Sequence, residues 1–103
     1  MRIDYSPEAL SDLDRIQEYH SEKVGVDFAQ SLVERIMGTF ERIAGRNPRA
    51  GRIRDDLDLG VRALPVLPFL IFYIVDKKRV YVFRILHGHR NIKAPLASLL
   101  IAT

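Results

Sequence analysis

The run FLIFYIV at residues 69–75 constrains the fold more than any other part of the sequence, because it is apolar throughout. Successive side chains of a strand point to opposite faces of a sheet, so this run carries an apolar row on each face. A strand with two apolar faces must be covered on both of them. The sequence therefore predicts a central strand in a layered domain.

Two further runs indicate strands beside the central one, VRALPVL at 61–67 and RVYVFRILH at 79–87. The second is rich in β-branched and aromatic residues, and DKK at 76–78 is a natural hairpin turn between it and the central run. Pro65 and Pro68 indicate that 61–67 is an irregular or edge strand, because proline cannot donate a hydrogen bond to a neighbouring strand.

A helical hairpin is predicted ahead of these strands, after a short opening strand, RIDY at 2–5. The first helix begins within SPEALSDLDRIQEYH, where Ser6 can cap the helix and Pro7 suits its first position. A second helical pattern follows and ends at Gly45 and Pro48. The order is β-α-α-β-β-β, an α+β domain in which a helical hairpin packs on a small, mostly antiparallel sheet.

The hairpin can cover only one face of this sheet, so the other face needs a second cover. One candidate is the C-terminal apolar extension 93–103, in which Leu96, Leu99 and Leu100 have the spacing of one apolar helical turn. The other candidate is a second protein. Residues 1–103 are predicted to form a single domain that includes this extension.

Composition excludes several classes of protein. With 48% hydrophobic and 28% charged residues, the chain has the make-up of an ordinary globular protein and not of a disordered one. The absence of cysteine excludes disulfides and thiolate metal sites. No apolar run reaches the ~18 residues of a membrane helix, and the first residues do not resemble a signal peptide. We expect a cytoplasmic protein that does not bind a membrane and needs no cofactor.

Positive charge is concentrated in the second half of the chain. Residues 1–45 carry five Lys or Arg against nine Asp or Glu, whereas residues 46–103 carry eleven against four. Such a basic half indicates a polyanionic or acidic partner, although the same charges can simply keep a small domain soluble.

The cluster RILHGHRNI at 84–92 is the strongest local concentration of candidate functional residues. His87 and His89 lie two apart, but no Asp or Glu is near them in the sequence and the adjacent arginines repel a cation, which argues against a metal site. No serine lies in a glycine-flanked elbow, and glycine-rich phosphate loops are absent.

Arg84 is the residue of this cluster whose placement matters most. Alternation along the strand predicts that it shares an otherwise apolar face with Val80, Val82 and Leu86, and that Arg62 on the neighbouring run stands close to it. Such cations, with His87, can either cleave RNA without a metal, by polarising a 2′-hydroxyl and stabilising a phosphorane, or form a docking patch without chemistry.

The motifs SPEALSDL, PRAGRIR followed by GVRAL, LIFYIV and RILHGHRNI, in this order and spacing, resemble the ParE branch of the ParE/RelE toxin superfamily. The resemblance covers residues 2–92. It implies the fold predicted above and the role of a toxin in a type II toxin–antitoxin module, the kind associated with plasmid stabilization. It also implies a ParD-like antitoxin whose C-terminal segment wraps the toxin and neutralises it.

The resemblance further implies a target and a set of contact residues. ParE-type members poison DNA gyrase, so we expect an inhibitor that acts by binding, without catalytic residues and without sequence-specific nucleic-acid binding of its own. The target or the antitoxin would then contact Arg62, Tyr73, Arg84, His87, His89 and Arg90. The alternative is a RelE-like, ribosome-dependent mRNA endonuclease, with Tyr73 stacked on a base and a catalytic set formed by Arg62, Arg84 and His87.

Overall fold

The computed structural model describes residues 1–88, and the predictions for His89, Arg90 and 93–103 lie outside these residues. The elements, in chain order, are β1 (Arg2–Tyr5), α1 (Pro7–Lys23), α2 (Val26–Arg46), β2 (Arg52–Ile53), β3 (Arg62–Val66), β4 (Phe69–Asp76) and β5 (Arg79–His87). The strands form one sheet in the order β1-β5-β4-β3-β2, in which β1 runs parallel to β5 and the other pairs are antiparallel. The predicted α+β fold is confirmed.

The strand β2 is an addition to the predicted order. It has two residues, which is too short for the alternation that identifies a strand in a sequence. It pairs only with Arg62 and Ala63, so β3 from Leu64 to Val66 lies at the edge of the described sheet. Pro65 falls in this part of β3, where a missing N–H group is tolerated, as predicted from the prolines.

The helical hairpin begins where the sequence predicts. Ser6 caps α1, because its Oγ accepts a hydrogen bond from the backbone N of Ala9 at 2.9 Å. Within the described residues, neither helix is long and apolar enough to cross a membrane. The hairpin packs on one face of the sheet, and this core includes Ala9, Leu13, Leu32, Ile36, Phe40, Ile71, Tyr73, Val80, Val82 and Ile85.

The other face of the sheet carries a second, smaller apolar cluster. Its buried members are Val61, Ala63, Phe72, Phe83 and Leu86, and half-buried Leu57, Leu70, Ile74 and Tyr81 pack against them. The predicted double burial of the central strand is confirmed at Ile71 and Tyr73 on one face and at Phe72 on the other, each at most 1% exposed.

A β-bulge changes the alternation along β5. Phe72 lies opposite Arg84, but the next residue, Tyr73, lies opposite Val82, so Phe83 is the extra residue of β5. Val80 and Val82 face the helices, whereas Leu86 belongs to the cluster on the opposite face. The prediction that Arg84 shares one face with Val80, Val82 and Leu86 is therefore wrong, because strict alternation does not continue through a bulge.

The helix α1 takes the place of a neighbouring strand along the second half of β5. β1 pairs with β5 only as far as Val82. Beyond that point the backbone N of Ser6 donates to Val82 O at 2.8 Å and its Oγ donates to Phe83 O at 3.0 Å. Asp12 Oδ2 then accepts from the backbone N of Ile85 at 2.9 Å. Side chains of α1 thus satisfy backbone groups that a strand would otherwise satisfy.

Asp12 is the most important of these side chains. It is 4% exposed, and its carboxylate also accepts from Arg84 Nε at 2.8 Å, from Arg84 Nη2 at 3.0 Å and from Arg15 Nη2 at 2.8 Å. The bidentate geometry with Arg84 is that of the stronger arginine–carboxylate pairs. A carboxylate so deeply buried is tolerated because every lone-pair direction has a donor.

We expect Asp12→Ala to lower the free energy of unfolding by about 3–5 kcal/mol, because it leaves the Arg84 guanidinium and the Ile85 N–H without their buried partner. The matched control is Asp14→Ala, an exposed aspartate of the same helix, which should change stability by less than about 0.5 kcal/mol. Urea unfolding followed by circular dichroism measures both. Equal effects of the two substitutions would contradict the role given to Asp12.

Candidate functional site

The residues predicted to form one functional cluster do not lie together in the structure. Arg62 is on β3 and Arg84 is on β5, and β4 runs between these two strands. Arg62 lies opposite Tyr73, whereas Arg84 lies opposite Phe72. The prediction that the Arg62 and Arg84 side chains stand close together is therefore wrong, because the strand predicted as central separates them.

Arg84 has an internal role that its position in the sequence does not reveal. Its side chain is 15% exposed, and both ends of its guanidinium fork are bound to Asp12. The guanidinium fixes α1 to the bulged part of β5 and offers little surface to a ligand.

Tyr73 is also committed to internal contacts. It is fully buried, and its ring packs edge-on against Phe40 with the centroids 5.2 Å apart. Its hydroxyl donates to Pro48 O and accepts from the backbone N of Gly51, both at 2.8 Å. In this arrangement the ring has no open face, so the expectation that Tyr73 stacks on a base does not fit the structure.

Arg62 binds the same loop from the neighbouring strand. Its Nη1 donates to Gly51 O at 2.8 Å and to Arg49 O at 3.1 Å. Together, Arg62 and Tyr73 bind four backbone groups between Pro48 and Gly51 and fix the loop that connects α2 to β2. We call residues 48–51 the PRAG loop.

The PRAG loop explains the motif PRAGRIR in physical terms. A Cβ at Gly51 would lie 2.7 Å from Tyr73 Oη, which is closer than a side-chain carbon is tolerated, and 3.1 Å from Ala63 O, which is a tight contact. The loop approaches β3 and β4 so closely that only glycine fits at this position. The signal in the sequence is Gly51 between Ala50 and Arg52 in the basic motif PRAGRIR.

Three exposed arginines, Arg46, Arg49 and Arg52, lie at and around this loop. Within residues 1–88 their side chains make no ion pair with an Asp or Glu, unlike Arg54, which binds Asp56 through two contacts of 3.0 Å. The hydrogen bonds to Asp56 raise the pKa of Arg54 above its usual value. The exposed arginines give this part of the molecule a positive field for an anionic partner.

His87, at the end of β5, lies at a second recess. Its ring packs edge-on against Phe69 with the centroids 5.7 Å apart. Both residues, with Tyr19 and His20 of α1, line a cavity of about 410 Å³. Among residues 1–88, no group of three or more His, Asp or Glu side chains is placed to hold a metal ion.

Sequence reasoning missed Asp12 and Gly51 as key residues. Asp12 lies beside Ala9 and Leu13 on the buried face of α1. A charged residue within an apolar stripe is the signal that identifies a buried ion pair.

Comparison with known proteins gives consistent results. A family model described as the ParE toxin of the type II toxin-antitoxin system parDE matches residues 3–92. The chain is 38% identical to Toxin ParE3 of Caulobacter vibrioides over 85 residues, which cover 82% of this chain and 84% of that protein. It is 30% identical to Toxin ParE1 of Mycobacterium tuberculosis H37Rv over 88 residues, which cover 84% and 89%.

A solved structure described as a chromosomal ParDE TA system from P. aeruginosa is similar to this fold, with a TM-score of 0.71 and 25% sequence identity. The similarity covers 84% of this chain and 95% of that one. The same arrangement of helices and sheet therefore occurs in that system.

We expect Gly51→Ala to destabilise the protein by about 1–3 kcal/mol, because the added methyl group must displace the Tyr73 ring or the β3 backbone. Gly38→Ala is the matched control: no atom lies within 4 Å of a Cβ at this position of α2. Because alanine favours a helix, the control should be about 0.5–1 kcal/mol more stable than the native chain. Thermal unfolding measures both, and a stable Gly51→Ala variant would contradict the close packing of the loop.

The stability contributed by Tyr73 should depend on pH. Burial raises the pKa of Tyr73 above its ordinary value of 10.0, although the hydrogen bond from Gly51 and the charge of Arg62 oppose the rise. The folded state therefore favours the neutral phenol, and stability falls once the pH exceeds the unfolded pKa near 10.0. The Tyr73→Phe variant has no phenol to ionise at this position.

The difference in unfolding free energy between the native chain and Tyr73→Phe should be about 1–3 kcal/mol at pH 7, because the variant leaves the buried Gly51 N–H without its acceptor. It should shrink as the pH rises above about 10, where only the native chain has a tyrosine to ionise at this position. Urea unfolding at pH 7 and at several alkaline values measures the difference. A difference that does not change with pH would show that Tyr73 is not protected from ionisation.

Proposed function

Because this chain belongs to the ParE toxin family of type II toxin–antitoxin systems, we propose that it inhibits DNA gyrase by binding and that a ParD-like antitoxin neutralises it. The family model covers nearly all of the described chain, and the relatives named above are themselves toxins of this kind. The antitoxin follows from the ParDE system whose structure resembles this fold.

One observation favours inhibition by binding over catalysis. Of the residues that a RelE-like nuclease would use here, Arg84 is held by Asp12, Arg62 binds the PRAG loop, and Tyr73 is buried beneath that loop. A general base and an electrostatic stabiliser must converge on one reacting phosphate, within hydrogen-bond distance of it. These side chains instead bind other groups of the protein, Arg84 the Asp12 carboxylate and Arg62 and Tyr73 the backbone of the PRAG loop, which supports a structural role for them.

We propose that the surface that meets gyrase includes the end of β5. His87 lies at this end, half-buried against Phe69. We propose that His87, with the following His89 and Arg90 of the sequence, contributes to the contact with the target. Basic and histidine side chains at the end of a strand suit an acidic or phosphate-bearing surface.

The function is tested with purified components. The protein is added to gyrase with supercoiled and relaxed plasmid, and in parallel to ribosomes programmed with messenger RNA. We expect cleaved DNA to accumulate and supercoiling to fall, while the messenger RNA remains intact. Cuts in the ribosomal A site with normal supercoiling would overturn the proposal in favour of a nuclease.

A His87→Gln variant separates docking from chemistry within the same assays. Glutamine retains hydrogen-bonding groups but cannot accept and return a proton as imidazole does. We expect the variant to keep at least about a tenth of the gyrase inhibition, because loss of one surface contact costs about 1 kcal/mol. If messenger RNA is cut instead, a loss of this cleavage by about 100-fold or more in the variant, with unchanged antitoxin affinity, would indicate general acid–base catalysis.

A further inference from the structure

A cleft on the face of the sheet away from the helices has no assigned role. It has a volume of about 500 Å³. Ala50, Ala63, Pro65 and Leu70 form its apolar lining, and Arg52 and Arg54 line the rest. Ala63 and Leu70 belong to the second apolar cluster, so the cleft continues the apolar surface of that face.

The two arginines of the cleft differ in their availability. Arg54 is paired with Asp56, which neutralises it. Arg52 is exposed and, within residues 1–88, has no carboxylate partner. Because Arg52 lies opposite Ala63 in the β2–β3 ladder, its side chain belongs to the same face of the sheet as the cleft. The cleft therefore combines an apolar surface with one uncompensated positive charge.

The backbone beside the cleft is also open. β2 pairs with β3 only at Arg62 and Ala63, so on the side away from β4 no strand of the described chain lies beside Leu64 to Val66. Pro65 has no N–H to donate at this edge, so a segment that binds here is held mainly by its side chains over the adjacent face. A peptide at this edge would place side chains over Pro65 and Leu70.

We infer that this cleft binds a segment of the antitoxin in which an acidic residue stands beside apolar ones. The inference rests on the proposed function, because it takes the antitoxin as the partner. The carboxylate pairs with Arg52, and the apolar residues cover Ala63, Pro65 and Leu70. A nucleic-acid backbone fits less well, because it offers phosphates for the arginine but no apolar side chains for the rest of the lining.

The test uses the full-length toxin and the full-length antitoxin of the same module, with affinity measured by isothermal titration calorimetry. Arg52→Glu should weaken binding by about ten-fold or more, because it places two negative charges together. Pro65→Asp should weaken binding by a similar factor, since it places a carboxylate at the apolar side of the cleft. This carboxylate repels the acidic residue of the antitoxin segment. Lys78→Glu is the matched control, with the same charge change in the exposed β4–β5 turn at the other end of β4. It should bind like the native toxin.

A second signature is the dependence on salt. Affinity of the native toxin should fall as the salt concentration rises, and this dependence should be smaller for Arg52→Glu, because the pair that salt screens is lost. Circular dichroism checks that each variant is folded, and the two cleft variants provide independent readings if one of them does not fold. Native-like antitoxin affinity in a folded cleft variant would overturn the inference.

Two parallel measurements identify other occupants. Loss of gyrase inhibition by a cleft variant that keeps its antitoxin affinity would assign the cleft to gyrase and overturn the inference. Sedimentation that shows a dimer of the native toxin, absent in Arg52→Glu, would assign it to a second copy. If the native toxin does not inhibit gyrase at all, the proposed target is wrong, but the affinity of the antitoxin for the cleft variants still decides this inference.

Discussion

The buried carboxylate of Asp12 is the interaction on which the rest of the fold depends. It joins the first helix to the last described strand, at the place where that strand is bulged and has lost its neighbour. A bulge interrupts the regular hydrogen bonds of a sheet, so the strand needs another source of donors and acceptors there. Asp12 and Ser6 supply it from α1, and the position of the helical hairpin on the sheet follows from that attachment.

The elements of the fold can be predicted from the sequence because local patterns define them. Ser6 and Pro7 start a helix for reasons that lie within a few residues, and the run 69–75 is apolar enough to indicate its double burial without any knowledge of its neighbours. The bulge at Phe83 cannot be predicted in this way, since it is a property of the register between two strands. One extra residue changes which face each later side chain of β5 occupies, and the error over Arg84 follows from it.

The candidate site shows the same limit at the level of side chains. Arg62, Tyr73 and Arg84 were predicted to contact a partner, but they hold the protein together, and three exposed arginines lie around the PRAG loop. A sequence shows which residues can bind an anion, whereas their availability depends on tertiary contacts. In this chain those contacts come from the loop at 48–51 and from α1, both distant in sequence from the strands they meet.

The parallel pairing of β1 with β5 joins residues 2–5 to residues 79–82. β1 therefore has no partner strand until β5 has been synthesised. Contacts of such long sequence separation form late, and they cannot form at all while β5 is still inside the ribosome. A growing copy of this toxin therefore lacks its finished sheet until β5 has emerged. The surface that this sheet offers to a neutralising partner does not exist before that moment.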